Sequence, residues 1–208
     1  MTTIQVRTEG DFAVNCYIVN TDSGCVIIDA PWPADGIIRQ LESKSAKPEL
    51  VVLTHGHFDH ILGLGRLKES FPQIKIAVSR TDSTMLDLDI IRRDMGFFGL
   101  DCPVSSIPQA DILLCGGDRP FSDFQVIETP GHTAGSISLY SENDLILFSG
   151  DTLFRSSVGR TDLGGDFSQL SASLKKLKAM IPDDCRILPG HGSFSTMGLE
   201  KEENAYLI

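Results

Sequence analysis

The chain has 208 residues and a formal net charge of −10. This length fits one domain whose core is large enough to be stable without disulfide bonds. The excess of acidic residues argues against a nucleic-acid partner, because phosphate binding needs a basic surface. No apolar stretch is long enough to span a membrane, no signal-peptide pattern precedes the first strand, and the five scattered cysteines are typical of reduced thiols. We therefore expect one cytoplasmic domain over residues 1–208, without a membrane partner.

The first part of the chain predicts three strands, over residues 3–7, 13–20 and 24–29, followed by a helix over 34–45. A Gly-containing hairpin turn at 21–24 joins the second and third strands. The third strand ends at Asp29, just before Ala30-Pro31. A carboxylate there either caps a turn or holds the second ring nitrogen of a metal-binding histidine, and the pattern leaves both interpretations open.

The next predicted strand, residues 50–53, leads into the densest group of ligand-type side chains. The pattern H-x-H-x-D-H places His55, His57, Asp59 and His60 within six residues. A single histidine at a strand end is usually a polar surface residue, but three of the five histidines lie here. His55 and His57 point the same way at an extended strand end, whereas Asp59 and His60 belong to the start of a helix over 58–69. One turn can therefore serve two metal ions.

A strand over 74–78 completes a β-α-β unit and implies parallel pairing. Residues 81–109 lack a clear period, and we expect them to be irregular. They contain an apolar cluster over 95–100, which either plugs the core locally or forms an apolar wall beside a substrate. In the second case Phe97 is the candidate substrate contact.

The second half predicts strands over 124–128, 136–140, 144–149 and 185–188, and helices over 166–181 and 198–205. The helix over 166–181 carries one apolar stripe and an N-cap at Asp166. Three of the strands end at ligand-type residues, which are His132, Asp151 and His191. The chain thus has seven candidate metal ligands at strand ends. Imidazole and carboxylate without thiolate suit Zn²⁺, and Fe or Mn as alternatives.

These motifs resemble the metallo-β-lactamase fold superfamily, and within it the hydroxyacylglutathione hydrolase (glyoxalase II)-like group. The resemblance rests on the block at 55–60, Gly131-His132-Thr133, Gly150-Asp151-Thr152-Leu153-Phe154 and Pro189-Gly190-His191-Gly192. It implies an α+β fold, a four-layer αβ/βα sandwich, and two divalent metal ions. It also implies that one ion is held by His55, His57 and His132 and the other by Asp59, His60 and His191. Asp151 would bridge them, and Asp59 and Asp151 would be the catalytic carboxylates.

Two such ions generate hydroxide near neutral pH and polarise a carbonyl, so no serine or cysteine nucleophile is required. A thiolate leaves without a proton, which favours a small thioester as substrate, with S-acylglutathione compounds as the leading expectation. The alternatives are a mononuclear iron persulfide dioxygenase, a lactone or phosphodiester hydrolase, and a non-catalytic metal-binding module. The sequence leaves the exact substrate, the metal and the oligomeric state open.

The departures from the family pattern concern specificity. The commonest β-lactamases resemble H-x-H-x-D-R with a cysteine ligand, whereas this chain has His60 and Asp151. Only 17 residues follow His191, so we expect no helical domain that grips glutathione, and Ser193-Phe194 replace a glutathione-contacting Tyr segment. Arg155 and Arg160 are candidates for binding a substrate carboxylate; the alternative is a salt bridge that holds their loop.

Overall fold

The computed structural model describes residues 2–207, and its contacts divide into two compact halves, Met1–Leu113 and Leu114–Ile208. We call these the N-terminal half and the C-terminal half. Each contains a β-sheet and helices. The expectation of a single domain stays a prediction. Within residues 2–207, no helix combines the length and apolar character needed to cross a membrane.

The N-terminal sheet has six strands in the order β1-β2-β3-β4-β5-β6. Its first three strands are antiparallel, whereas β3, β4 and β5 run parallel, as the predicted β-α-β unit requires. Strand β6 was missed by the sequence analysis. The bounds are β1 Thr3–Glu9, β2 Val14–Thr21, β3 Gly24–Ile28, β4 Pro48–Val52, β5 Lys75–Ser79 and β6 Ile112–Leu114.

The described part of the N-terminal half contains four α-helices and one 3₁₀ helix, Asp82–Met85. The α-helices are α1 Asp35–Ser43, α2 Phe58–Ile61, α3 Leu64–Ser70 and α4 Leu88–Phe97. The single helix predicted over 58–69 is interrupted at Leu62-Gly63. Gly63 N–H donates to the carbonyl of Ala30 at 2.7 Å, and a Cβ on Gly63 would lie 2.3 Å from the Pro31 oxygen. Because the chain beside β3 approaches this closely, the helix breaks where only glycine fits.

The expectation that residues 81–109 are irregular is wrong for helix α4. Asp87 caps this helix by accepting hydrogen bonds from the backbone N–H groups of Asp89 and Ile90. Only Ile91 and Met95 of the helix are buried, so the apolar stripe is too narrow to stand out in the sequence.

The C-terminal sheet has five strands in the order β13-β12-β9-β8-β7, and β10 and β11 form a separate hairpin. Strands β9 and β12 are parallel, and the other pairs are antiparallel. The sequence analysis missed the short strands β10, β11 and β13. The bounds are β7 Gln125–Glu128, β8 Ile137–Ser141, β9 Ile146–Gly150, β10 Leu153–Phe154, β11 Ser157–Val158, β12 Arg186–Pro189 and β13 Ser195–Thr196.

Two helices, α5 Phe167–Met180 and α6 Met197–Glu203, complete the C-terminal half. The predicted N-cap of α5 is confirmed, since the Asp166 carboxylate accepts from the N–H groups of Ser168 and Gln169. Leu170, Leu174 and Leu177 form the predicted buried stripe. Phe167, the first residue of that stripe, is instead 55% exposed.

Candidate metal centre

The four ligand-type residues of the H-x-H-x-D-H block lie together in the N-terminal half, at the end of β4. The side chains of His55, His57 and His60 are buried, and Asp59 is partly exposed. Ligand atoms of His55 lie within 4.8 Å of those of His57 and His60, and Asp59 and His60 are equally close. Four donors crowded into one turn is an arrangement that a bound cation stabilises.

Asp29 is the hydrogen-bonding centre beneath this turn. Its Oδ1 accepts from the Thr54 backbone N–H at 2.8 Å. Its Oδ2 accepts from the Thr54 hydroxyl at 2.8 Å and lies 2.9 Å from Nδ1 of His60. Of the two interpretations of Asp29, the hydrogen bonds therefore match the one in which it holds a histidine. Asp29 adopts φ +60°, a left-handed conformation that aspartate tolerates better than most residues.

These contacts determine which nitrogen of two histidines carries the proton. His60 Nδ1 faces a carboxylate oxygen and is therefore the protonated nitrogen, which leaves a lone pair on Nε2. The Thr54 hydroxyl donates its only proton to Asp29, so its 3.1 Å contact with Nδ1 of His55 requires His55 to be the donor. Both rings consequently present Nε2 as an electron-pair donor.

A second buried carboxylate, Asp82, supports the backbone between the first two histidines. Its Oδ2 accepts the Gly56 N–H at 2.9 Å, and Asp82 is 2% exposed. A Cβ on Gly56 would lie 2.6 Å from the Cβ of Met85. The middle position of H-x-H therefore requires glycine, because the segment after β5 packs directly against it.

In the C-terminal half, His132 stands in the turn after β7, and its Nδ1 lies 2.7 Å from the carbonyl oxygen of Arg160. A carbonyl oxygen only accepts, so Nδ1 carries the proton and Nε2 has the lone pair. This Nε2 lies 3.5 Å from Oδ2 of Asp151, and Nε2 of His191 lies 3.3 Å from the same oxygen. One buried carboxylate oxygen thus stands between two imidazole nitrogens.

The backbone around Asp151 leaves no space for further side chains. A Cβ on Gly159 would lie 1.8 Å from the Asp151 carbonyl oxygen and 3.0 Å from Nδ1 of His132. Gly190 N–H donates to the carbonyl of Gly150 at 2.9 Å, which ties the His191 turn to the Asp151 turn. The three residues of this half are therefore positioned by close backbone packing.

The turn that carries His132 offers a stability test at Gly131. This residue has φ +141°, and a Cβ on it would lie 2.3 Å from the backbone nitrogen of Leu170 in α5. We expect Gly131→Ala to lower the free energy of unfolding by about 2 kcal/mol or more, because it adds both a clash and backbone strain. Urea denaturation measures this change.

Gly65→Ala is the matched control, since a Cβ at this helical position meets nothing within 4 Å. That variant should be neutral or up to about 1 kcal/mol more stable. A Gly131→Ala variant within about 0.5 kcal/mol of the wild type would show that this turn tolerates a side chain.

Comparison with known proteins identifies the family. Residues 10–191 match the family model described as the Metallo-beta-lactamase superfamily. The chain belongs to this superfamily. Its members are metal-dependent hydrolases, and the predicted metallo-β-lactamase fold, with mixed α and β content, is confirmed.

Three relatives in the superfamily are informative. The hydroxyacylglutathione hydrolase GloC of Haemophilus influenzae is 30% identical over 204 residues, covering 94% of this chain and 93% of that protein. The crystal structure of BLEG-1, described as a B3 metallo-beta-lactamase, is 32% identical with a TM-score of 0.89 and covers 99% of both chains. The structure of TTHA1623 in a di-iron-bound form is 34% identical with a TM-score of 0.89, covering 98% of this chain and 100% of that one.

The donor set fits the metal ions that the superfamily implies. Nitrogen and oxygen donors of this kind suit Zn²⁺, Fe or Mn. The three buried thiols are poor candidates for additional ligands because they hold their protons: burial raises the pKa of Cys25 to about 11 and of Cys185 to about 12, and it raises that of Cys16 as well. The second nitrogens of His55, His60 and His132 are held by protein oxygens, as metal-binding histidines require.

The three predicted substrate-binding residues have exposed side chains, whereas most of the candidate metal ligands are buried. Arg160 forms a bidentate pair with Asp162, with both N–O distances 2.6 Å, which corresponds to the loop-bracing alternative. This pair lowers the pKa of Asp162 to about 2. Arg155 is exposed in the β10–β11 hairpin, and Phe97 is 72% exposed at the end of α4. Substrate contacts by these three residues stay predictions.

Sequence reasoning missed several residues that position the ligands. Thr54 and the carbonyl of Arg160 contact the Nδ1 atoms of His55 and His132, and Asp82 accepts the N–H of Gly56 between the first two histidines. Thr54 had a usable signal, because it lies between the strand and His55. Asp82 lies 26 residues from Gly56 and a backbone carbonyl carries no side-chain signature, so neither could be found without the fold.

Proposed function

We propose that this chain is a dinuclear metal-dependent hydrolase of small thioesters, with S-acylglutathione compounds as the leading substrate class. The proposal rests chiefly on the arrangement of His55, His60 and His132. In each ring Nδ1 is held by a protein oxygen, and the lone pair of Nε2 is oriented to bind a metal ion. The glyoxalase II-like motif set and the name of the Haemophilus influenzae relative support the substrate class.

The proposed ligands are the seven residues found in the sequence: His55, His57, Asp59, His60, His132, Asp151 and His191. Bound divalent ions would supply hydroxide near neutral pH and polarise the scissile carbonyl. The chain contributes fixed imidazoles and two carboxylates that keep the ions in place. A thioester suits such a site because its thiolate leaving group departs without taking a proton from the protein.

Elemental analysis combined with a substrate panel tests the proposal. Protein purified without chelator should contain two ions per chain, zinc being the expected metal, and should hydrolyse S-lactoylglutathione. His60→Ala and His191→Ala should each lose chiefly one ion, and His55→Ala chiefly the other. One ion per chain after supplementation, or full occupancy in these variants, would contradict the ligand assignment. Absence of thioester hydrolysis by fully loaded protein would contradict the substrate class.

The second candidate function is that of an iron-dependent persulfide dioxygenase. TTHA1623 has been crystallised in a di-iron-bound form, so zinc is not the only metal to consider for a chain this similar. An iron enzyme acting as a persulfide dioxygenase would consume oxygen in the presence of a persulfide and show no thioester hydrolysis. Oxygen-electrode measurements on the iron-loaded protein separate the two functions. A β-lactam and a lactone belong in the same panel, the first because of the similarity to BLEG-1.

A further inference from the structure

A cavity of about 200 Å³ opens in the N-terminal half beside the H-x-H-x-D-H block. Asp59, one of the proposed ligands, contributes to its lining. Since a water molecule takes up about 30 Å³ in the liquid, the cavity has room for a small organic group. It can therefore receive a small substituent of a substrate.

Three aromatic side chains form part of the cavity wall: Phe12, Trp32 and Phe58. The rings of Phe12 and Phe58 meet edge to face, with centroids 5.3 Å apart and an interplanar angle of 79°. Phe12 also contacts Phe98, whose ring centroid lies 5.6 Å away. Phe12 is therefore held in place by two neighbours. Aromatic faces attract both apolar groups and cations.

The charged groups that line the cavity all have the same sign. They are four carboxylates, Glu9, Asp11, Asp59 and Asp101, and the described lining contains no lysine or arginine. Glu9 is paired with Arg7 at 3.0 Å, which offsets its charge, and Asp59 would be neutralised by a bound metal ion. Asp11 and Asp101 are exposed residues and keep the cavity negative in either case.

We infer that this cavity binds a small apolar substituent ending in a cation, such as an alkylammonium group, on one side of the scissile bond. The inference deepens the proposed thioesterase function, and rests on it for the position of the scissile bond. The aromatic wall contacts the alkyl part and the ammonium, while Asp11 and Asp101 supply the opposite charge. An anionic substituent of the same size is rejected by those two carboxylates.

Trp32 gives a readout that does not depend on turnover, because it is the only tryptophan in the chain. The protein as purified is titrated with n-butylammonium, 1-butanol or butyrate while tryptophan emission is recorded. We expect n-butylammonium to bind at least about tenfold more tightly than 1-butanol, and butyrate more weakly than either. The double variant Asp11→Asn, Asp101→Asn should remove the preference, whereas Asp89→Asn, which changes a side chain 94% exposed on α4, should not.

A substrate series then connects binding with chemistry. Matched thioesters carry an ammonium, a methyl or a carboxylate terminus on the acyl side in one set and on the thiol side in the other. The ammonium member of one set should have the highest kcat/KM, by about tenfold over its methyl analogue, and the carboxylate member the lowest. In the double variant Asp11→Asn, Asp101→Asn, the three thioesters of that set should have similar kcat/KM values.

The outcomes separate this inference from the proposed function. Thioester hydrolysis without a charge preference in either set, or equal fluorescence affinities for the three probes, would overturn the assignment of the cavity. If no thioester is hydrolysed but n-butylammonium binds preferentially through Asp11 and Asp101, the cavity assignment stands as a cation site and the thioesterase proposal fails.

Discussion

Asp151→Asn should lower kcat/KM for the best thioester by at least about a hundredfold, which corresponds to roughly 2.7 kcal/mol of lost transition-state stabilisation. The Oδ2 atom of Asp151 lies 3.5 Å from Nε2 of His132 and 3.3 Å from Nε2 of His191. In the proposed assignment this carboxylate would help to hold both ions. Asparagine keeps the shape of the side chain but removes a negative charge from between two cations, so both ions should be held less tightly.

The measurements for this variant are the metal content after dialysis and steady-state kinetics in metal-supplemented buffer. The control is Asp184→Asn, an exposed acidic residue in the same half, which should keep wild-type metal content and rate. Loss of one ion alone from the Asp151→Asn protein, or turnover within about threefold of the wild type, would rule out a bridging role.

Asp29→Asn should weaken metal binding by about ten- to a hundredfold without direct contact to a metal ion. The Asp29 carboxylate accepts hydrogen bonds from Thr54 N–H, Thr54 Oγ1–H and Nδ1 of His60. Whichever way the asparagine amide is turned, its NH₂ group meets one of these donors. If the NH₂ group takes the Oδ2 place, the His60 ring loses either its orientation or its preferred tautomer. If it takes the Oδ1 place, the Thr54 N–H loses its acceptor and the backbone just before His55 is no longer held.

Competition against a chromophoric chelator measures this effect. Asparagine also tolerates the left-handed φ of +60° at this position, so backbone strain does not confuse the result. Asp89→Asn is the control in the same half, and it should bind metal as the wild type does. A metal affinity of Asp29→Asn within about threefold of the wild type would show that His60 does not depend on this carboxylate.

The sequence predicted the features that depend on local pattern. The strand before His55 and the helix at 167–180 were found because a buried strand and an amphipathic helix each leave a period in the apolar residues. All seven candidate ligands follow strands or begin a helix, and residue type alone identified them. The fold class was implied by the resemblance of these motifs to a known superfamily.

The features that were missed depend on tertiary contacts. The break at Gly63 comes from the approach of the Ala30-Pro31 backbone, and the cap at Asp87 starts a helix with only two buried side chains. Phe97 was chosen from an apolar run, but its side chain is exposed, whereas Met95 and Leu100 of the same run line the cavity. When apolar residues do not recur at a clear helical spacing, the sequence does not indicate which of them is buried.

The parallel pairing of β9 and β12 has a consequence for how this enzyme family can vary. Asp151 and His191 are 40 residues apart in sequence, yet Asp151 directly follows β9, His191 lies two residues after the end of β12, and Pro189 is paired with Gly150. Their separation is therefore fixed by strand register and by the Gly190 to Gly150 hydrogen bond, whatever the length of the chain between them. Residues 182–184 form an exposed turn between the two strands, so an insertion or deletion there should leave the spacing of Asp151 and His191 unchanged.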